Sequence, residues 1–169
     1  EEIAEYTQDS SIITKLNLKN TPYLVFISSV EKRKNVHRLI QAFVSIANET
    51  SASLVIVGNK TGAFREIYKE LNGVPRQIKD RVIFTGYASE FDKYTLLKHA
   101  RALVNPTLYE GFGLPVLEAF ALGCPVVASV TGALAEISGN ATLKIKNPYS
   151  VSEISSALRE ILRNSPLRS

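Results

Sequence analysis

A chain of 169 residues with 45% apolar side chains is long enough to bury one substantial core. With 21% charged residues, seven Tyr and seven Phe it reads as globular rather than disordered or fibrous, and the single cysteine, Cys124, excludes a disulfide framework or a multi-cysteine metal site. The net charge of +4 is dispersed, with its densest cluster, Lys32-Arg33-Lys34, beside Glu31; this suits an anionic ligand or a solvated surface rather than a nucleic-acid footprint.

In chain order, the polar stretch Glu1–Asn20 reads as a linker or a peripheral helix, followed by one domain over residues 21–169. Short β-branched runs then alternate with longer amphipathic stretches, the mark of a mostly parallel sheet covered on both faces. Strands are expected at Tyr23–Ser28, Ser53–Val57, Val82–Thr85, Ala102–Asn105, Pro125–Ala128 and Thr142–Ile145. Most are continuously apolar, as strands buried on both faces are. Helices are expected at Val36–Asn48, Ala63–Leu71, Phe91–His99, Pro115–Leu122 and Val151–Arg163, with a short turn near Leu134–Ile137. Asn35 suits an N-cap, Pro115 a first helical position, and Gly123 a helix stop. The fold class that follows is α/β, a Rossmann-like doubly wound sheet of about six strands.

In such sheets ligands bind beyond the carboxyl ends of the strands. Those ends are Ser28–Asn35, Gly58–Gly62, Gly86–Glu90, Asn105–Leu114 and Ser129–Glu136. The segment Asn105–Glu118 carries most of the information. A strand ends, a glycine-rich turn follows, and a helix begins at Pro115. Gly111 and Gly113 let the backbone approach a ligand, and free amides at the helix start attract an anion, a phosphate above all. Without a ligand the same glycines serve a tight strand-to-helix turn. Glu118 is the only charged residue from Gly111 through Ala135, set among Val116, Leu117, Ala119, Phe120 and Leu122. A carboxylate there leans toward the loop mouth and can accept from both hydroxyls of a ribose; the plainer alternative is an exposed glutamate complementing the helix dipole. Glu110 and Glu118 also raise a hydrolase carboxylate pair, but a phosphate-binding helix start between them fits a nucleotide donor better than a plain glycoside.

Glu110 and Glu118, with Gly-Phe-Gly-Leu-Pro-Val-Leu between them, resemble the Glu–seven residues–Glu motif of retaining glycosyltransferases of family 4, which have the GT-B fold. The stretches 25–35, Leu54–Gly58, Val82–Gly86, 121–129, Gly132–Ala141, Asn147–Pro148 and 164–168 resemble further segments of the C-terminal, donor-binding domain of that family. The resemblance implies one half of a GT-B architecture, transferring a hexosyl unit (mannose, glucose or N-acetylglucosamine type) from a UDP- or GDP-type sugar to a glycan, lipid or other acceptor. It places Glu118 on the ribose and Glu110 by the donor sugar and reaction centre. The amides of Gly111, Phe112, Gly113 and Leu114 would face the diphosphate or the sugar, and Arg33 and Lys34 would neutralise the diphosphate. With no Asp-x-Asp motif, those cations and the helix terminus are expected to replace a metal, and no cofactor is implied.

The pattern is departed from at Ser28, where the family has Gly, at Lys32, where Pro is common, and at Asn147, where Asp is usual. Ser28 would crowd the diphosphate or donate to it. Tyr87, Ala88 and Asn59 are loop residues that could touch the base. Lys34 reads alternatively as a surface cation. Of Tyr109 and Phe112, which could flank the sugar, one is expected in the core. His37 and His99 lie on separate helices without a shared partner, and Cys124 reads as inert packing. The chain contains no Met and opens at Glu1, so a fragment of a larger protein is expected, its partners being a nucleotide-sugar donor and an N-terminal acceptor domain, with no nucleic acid. No apolar run approaches the ~20 residues of a membrane span. The expected setting is cytoplasmic, with membrane contact open only through the missing domain. A non-catalytic sugar-nucleotide-binding module and a GT-B sugar-nucleotide epimerase remain as alternatives; a phosphorylase would need a pyridoxal-phosphate lysine signature that is not evident.

Overall fold

The computed structural model describes residues 11–137 and 142–164. The start of the polar lead-in, part of the Gly132–Ala141 stretch and the late segment 165–168 lie outside the described residues. Six strands, β1 (Tyr23–Ile27), β2 (Ser53–Val57), β3 (Val82–Gly86), β4 (Ala102–Asn105), β5 (Val126–Ser129) and β6 (Thr142–Ile145), form one sheet. Every pairing is parallel and the order is β3-β2-β1-β4-β5-β6. This is the Rossmann-like doubly wound sheet. Each strand lies within a residue of its expected span; β1 stops at Ile27, so Ser28 already belongs to the loop.

The helices are α1 (Ser11–Lys15), α2 (Val36–Ile46), α3 (Phe64–Tyr68), α4 (Arg76–Lys79), α5 (Glu90–His99), α6 (Leu114–Ala121), α7 (Ala133–Ile137) and α8 (Val151–Arg163). Because side chains alternate across a strand, the sheet divides the core in two. Leu24, Phe26, Leu54, Ile56 and Val104 face α2 and α8, where Leu39, Phe43, Ile154 and Leu158 complete one cluster. Val25, Val55, Leu103, Val126 and Ala128 face α5 and α6, where Leu96, Leu97, Val116 and Ala119 complete the other. Ile12, Ile13 and Leu18 join that second cluster, so the later part of the lead-in packs on the domain. Fully burying such a side chain contributes roughly 1.5–3 kcal/mol.

Local chemistry sets several helix starts. The Ser89 hydroxyl accepts from the Asp92 amide at 3.0 Å, which begins α5 at Glu90, one residue before the expected Phe91. Ser150 does the same for α8 through the Glu153 amide, and Glu153 in turn accepts from the Asn147 amide at 3.0 Å. Among the described residues, no helix is long and apolar enough to cross a membrane.

Candidate functional site

The strand order reverses between β1 and β4, so the loops leaving these neighbours diverge and open a crevice above the sheet. The loop after β1 tightens into a 3-10 turn over Lys32–Lys34 and ends on Asn35, in a left-handed conformation at φ +61°. Asn35 precedes α2 as expected, but its side chain makes no cap bond. Its amide donates instead to the Pro106 carbonyl at 2.9 Å and the Pro148 carbonyl at 2.7 Å, while its Oδ1 accepts from Arg38 at 3.0 Å. Two buried carbonyls that need a donor outweigh one helix amide that water could satisfy. Asn35 thereby ties the loops after β1, β4 and β6 together.

That clamp turns the neighbouring Lys34 inward. Its Nζ donates to Glu110 Oε2 at 2.7 Å, with the two side chains 8% and 12% exposed. Lys34 is therefore not a surface cation. Glu110 is held from behind as well: its carbonyl accepts from the Ala133 amide at 3.1 Å. Gly132 sits at φ +56°, and a Cβ there would lie 2.5 Å from the same carbonyl oxygen, so only glycine permits this approach. Thr107 completes the floor. Its hydroxyl lies 3.1 Å from the Arg33 carbonyl and its own carbonyl accepts from Ser129 and Thr131.

Arg33 does not join Lys34. Its Nε donates to Glu31 Oε2 at 2.9 Å, its side chain is half exposed, and it lines a neighbouring cleft with Lys32, His37, Glu66 and Leu108. Successive residues of a tight turn point in different directions, which the expectation of a paired Arg33–Lys34 site overlooked. The Glu31 carboxyl is held below its ordinary range by the Ser29 hydroxyl bonded to it, aided by the charges of Arg33 and Lys34.

The segment following Glu110 reaches α6 through Gly113, at φ +78°, where an added Cβ would meet Leu134 at 2.8 Å. Helix α6 starts at Leu114, which makes Pro115 its second residue rather than its first. The Gly113 carbonyl takes the Val116 amide at 2.9 Å, and the Leu114 amide precedes any carbonyl the helix can offer it. Tyr109 and Phe112 are 64% and 63% exposed, so neither belongs to the core; Leu114 and Leu117 are exposed as well. Tyr87, beyond β3, is exposed too. Ser28 follows β1 with its amide bonded to the Val57 carbonyl at 3.0 Å. His37 and His99 stay on separate helices, α2 and α5, and Cys124 is buried.

Glu118, one turn into α6, meets a residue the sequence did not single out. Lys93 of α5 donates to Glu118 Oε1 at 2.8 Å and to Glu90 Oε2 at 2.6 Å, and its side chain is mostly buried. Burial works against the Lys93 ammonium, yet the bonds from Glu118 and Glu90 outweigh it and raise its pKa above the ordinary lysine value. Glu90, bonded by Lys93 and also by Tyr94, is held below the usual carboxylate range. The signal that could have found Lys93 was its position one turn before buried Leu97, which puts a charge on the inward face of α5. Each glutamate of the spaced pair is thus held by one lysine, with the amide-rich start of α6 between them.

The Glycosyl transferases group 1 model matches residues 8–169. O-antigen chain mannosyltransferase B of Escherichia coli is 33% identical over 159 residues, 93% of this chain and 41% of that protein. The MMP alpha-(1->4)-mannosyltransferase of Mycolicibacterium hassiacum is 32% identical over 76% of this chain and 31% of its own length. The chain spans about two fifths or less of these relatives. Among solved structures, WaaG, a glycosyltransferase involved in lipopolysaccharide biosynthesis, superposes with a TM-score of 0.79 at 27% identity, over 93% of this chain and 42% of that one. Anabaena HepE, solved with UDP and glucose, gives 0.82 at 20% identity over 96% and 45%, a likeness of fold alone. A match across nearly the whole chain, on a sheet whose crevice carries the spaced glutamates, places this chain in the family of group 1 glycosyl transferases.

Proposed function

We propose that this chain is the donor-binding, C-terminal domain of a retaining GT-B hexosyltransferase of family 4, holding a nucleotide-diphosphate sugar in the crevice between β1 and β4. The observation that carries this reading is the arrangement of Glu110–Lys34 and Glu118–Lys93, two nearly buried ion pairs flanking the start of α6. Glu118 accepts from the ribose hydroxyls. The backbone from Gly111 to Leu114 faces the diphosphate, and Glu110 stands by the sugar. Lys34 uses one of its three N–H groups on Glu110 and offers the others to the diphosphate.

In the reaction the bond between the anomeric carbon and the diphosphate oxygen breaks, with its electron pair leaving on the diphosphate. The acceptor oxygen bonds to that carbon on the same face and gives up its proton to the departing diphosphate oxygen. A fixed ammonium and oriented amides stabilise the growing diphosphate charge without reorganising. Arg33, turned onto Glu31, would have to swing across to contribute. The acceptor and the residues that bind it belong to an N-terminal domain in this reading, and the relatives named as mannosyltransferases favour a mannosyl donor.

A thermal-shift panel of GDP-mannose, UDP-glucose, UDP-N-acetylglucosamine and ADP-glucose tests the assignment. At least one should raise the unfolding midpoint of the 169-residue chain through mass action, Glu118→Ala should abolish most of the rise, and the chain alone should transfer nothing measurable. A panel that leaves the midpoint unmoved at millimolar concentration defeats the proposal. Unchanged turnover of a full-length protein carrying Glu110→Ala would favour a binding module without catalysis.

A further inference from the structure

We infer that Lys93 is a positioning residue for the donor nucleotide, fixing Glu118 as the acceptor of the ribose hydroxyls; this rests on the donor-site reading above. Three observations carry it. Lys93 reaches Glu118 from a different helix, α5, and the contact spans 25 residues of sequence. Its ammonium sits 4.8 Å above the Tyr94 ring and between two carboxylates, so it has one place to be. The Glu118 side chain is 20% exposed on an otherwise apolar helix, where a carboxylate without a cation would be costly to keep ionised.

The charge balance gives this device a direction. One ammonium serves two carboxylates, which leaves the Lys93 end of the crevice net negative, while at the Lys34 end one ammonium meets one carboxylate and the charges balance. Lys93 takes up Oε1 of Glu118, and Oε2 lies outside that contact. A ribose, which donates, is favoured beside Glu118, and a diphosphate, which only accepts, is repelled toward the start of α6 and Lys34. Lys93 never touches the reacting atoms. It orients the group that orients the nucleoside.

The test compares UDP and GDP with their 2′,3′-dideoxy analogues by calorimetric titration of the wild-type chain, Glu118→Ala, Lys93→Met and Lys93→Arg. A hydrogen bond to a charged acceptor is worth about tenfold or more in affinity, so the wild type should prefer the ribose form by about that factor. Glu118→Ala should erase the preference. Lys93→Met should reduce it to about twofold while the dideoxy affinity, which reports the diphosphate contacts, stays unchanged, and Lys93→Arg should restore it. Merely structural damage would lower both affinities together. A full ribose preference in a folded Lys93→Met, or tighter ribose binding, which would mean that Lys93 masks Glu118, overturns the inference and leaves the donor site standing. Lys93→Arg behaving like Lys93→Met would overturn it as well. Absence of any nucleotide binding to the wild type removes the donor site and the inference with it.

Discussion

Breaking the Lys34–Glu110 pair should destabilise the domain far more than breaking an exposed salt bridge. The two side chains are 8% and 12% exposed and meet at 2.7 Å, against values such as 91% and 65% for Arg76–Asp80. Removing one partner of a buried pair leaves an uncompensated charge and typically costs 3–5 kcal/mol. Because a small part of each side chain still touches water, the lower end applies, and Lys34→Met or Glu110→Gln should each cost about 3 kcal/mol. In a domain of this size that lowers the thermal midpoint by about 6–12 °C. The double variant Lys34→Met/Glu110→Gln leaves no stranded charge and should recover about 2 kcal/mol relative to the sum of the singles. Arg76→Ala, by comparison, should cost less than about 1 kcal/mol. Urea unfolding followed by far-ultraviolet circular dichroism measures all four. Single variants within 1 kcal/mol of wild type, or a double variant equal to the sum, would show that the pair is solvated and that Lys34 does not fix Glu110.

Gly132→Ala should cost about 1–3 kcal/mol and weaken nucleotide binding, because the methyl group displaces the Glu110 carbonyl; Gly86→Ala, at φ +74° but with open space around it, should bear only the conformational cost. Unfolding midpoints and nucleotide titrations of the two variants separate these effects. The His37 pKa is lowered, first by burial and then by the Arg38 charge, against the opposing pull of Glu70 and Glu66. Below pH 6.5 the unfolded chain therefore binds a proton more readily than the folded one, so stability should fall on acidification through that window. His37→Gln should flatten that part of the urea-midpoint profile, and an unchanged slope would assign the loss to other groups.

Much of the architecture could be read from the chain because each parallel strand is buried on both faces, and runs such as Leu-Val-Ile-Val have no other comfortable place. Glu118 was legible for a related reason, since a lone charge on an apolar helix demands an explanation. What sequence left open depended on contacts between distant segments. Asn35 looks like an ordinary cap until the loops bearing Pro106 and Pro148 arrive beside it. Arg33 and Lys34 are neighbours in the chain, and the turn sends one to Glu31 and the other to Glu110. Lys93 finds Glu118 only because α5 and α6 share one face of the sheet. Tyr109 and Phe112, apolar enough for a core, stay exposed in the connection between β4 and α6.

The most direct trial of the donor site is an amide-resolved NMR titration of the isotope-labelled chain with GDP and UDP. The account predicts that the largest shift changes fall on Gly111 to Leu114, Asn35 and Glu118, all around the crevice at the reversal of strand order. Changes centred instead on the cleft of Lys32, His37 and Glu66, with the start of α6 unmoved, would contradict it.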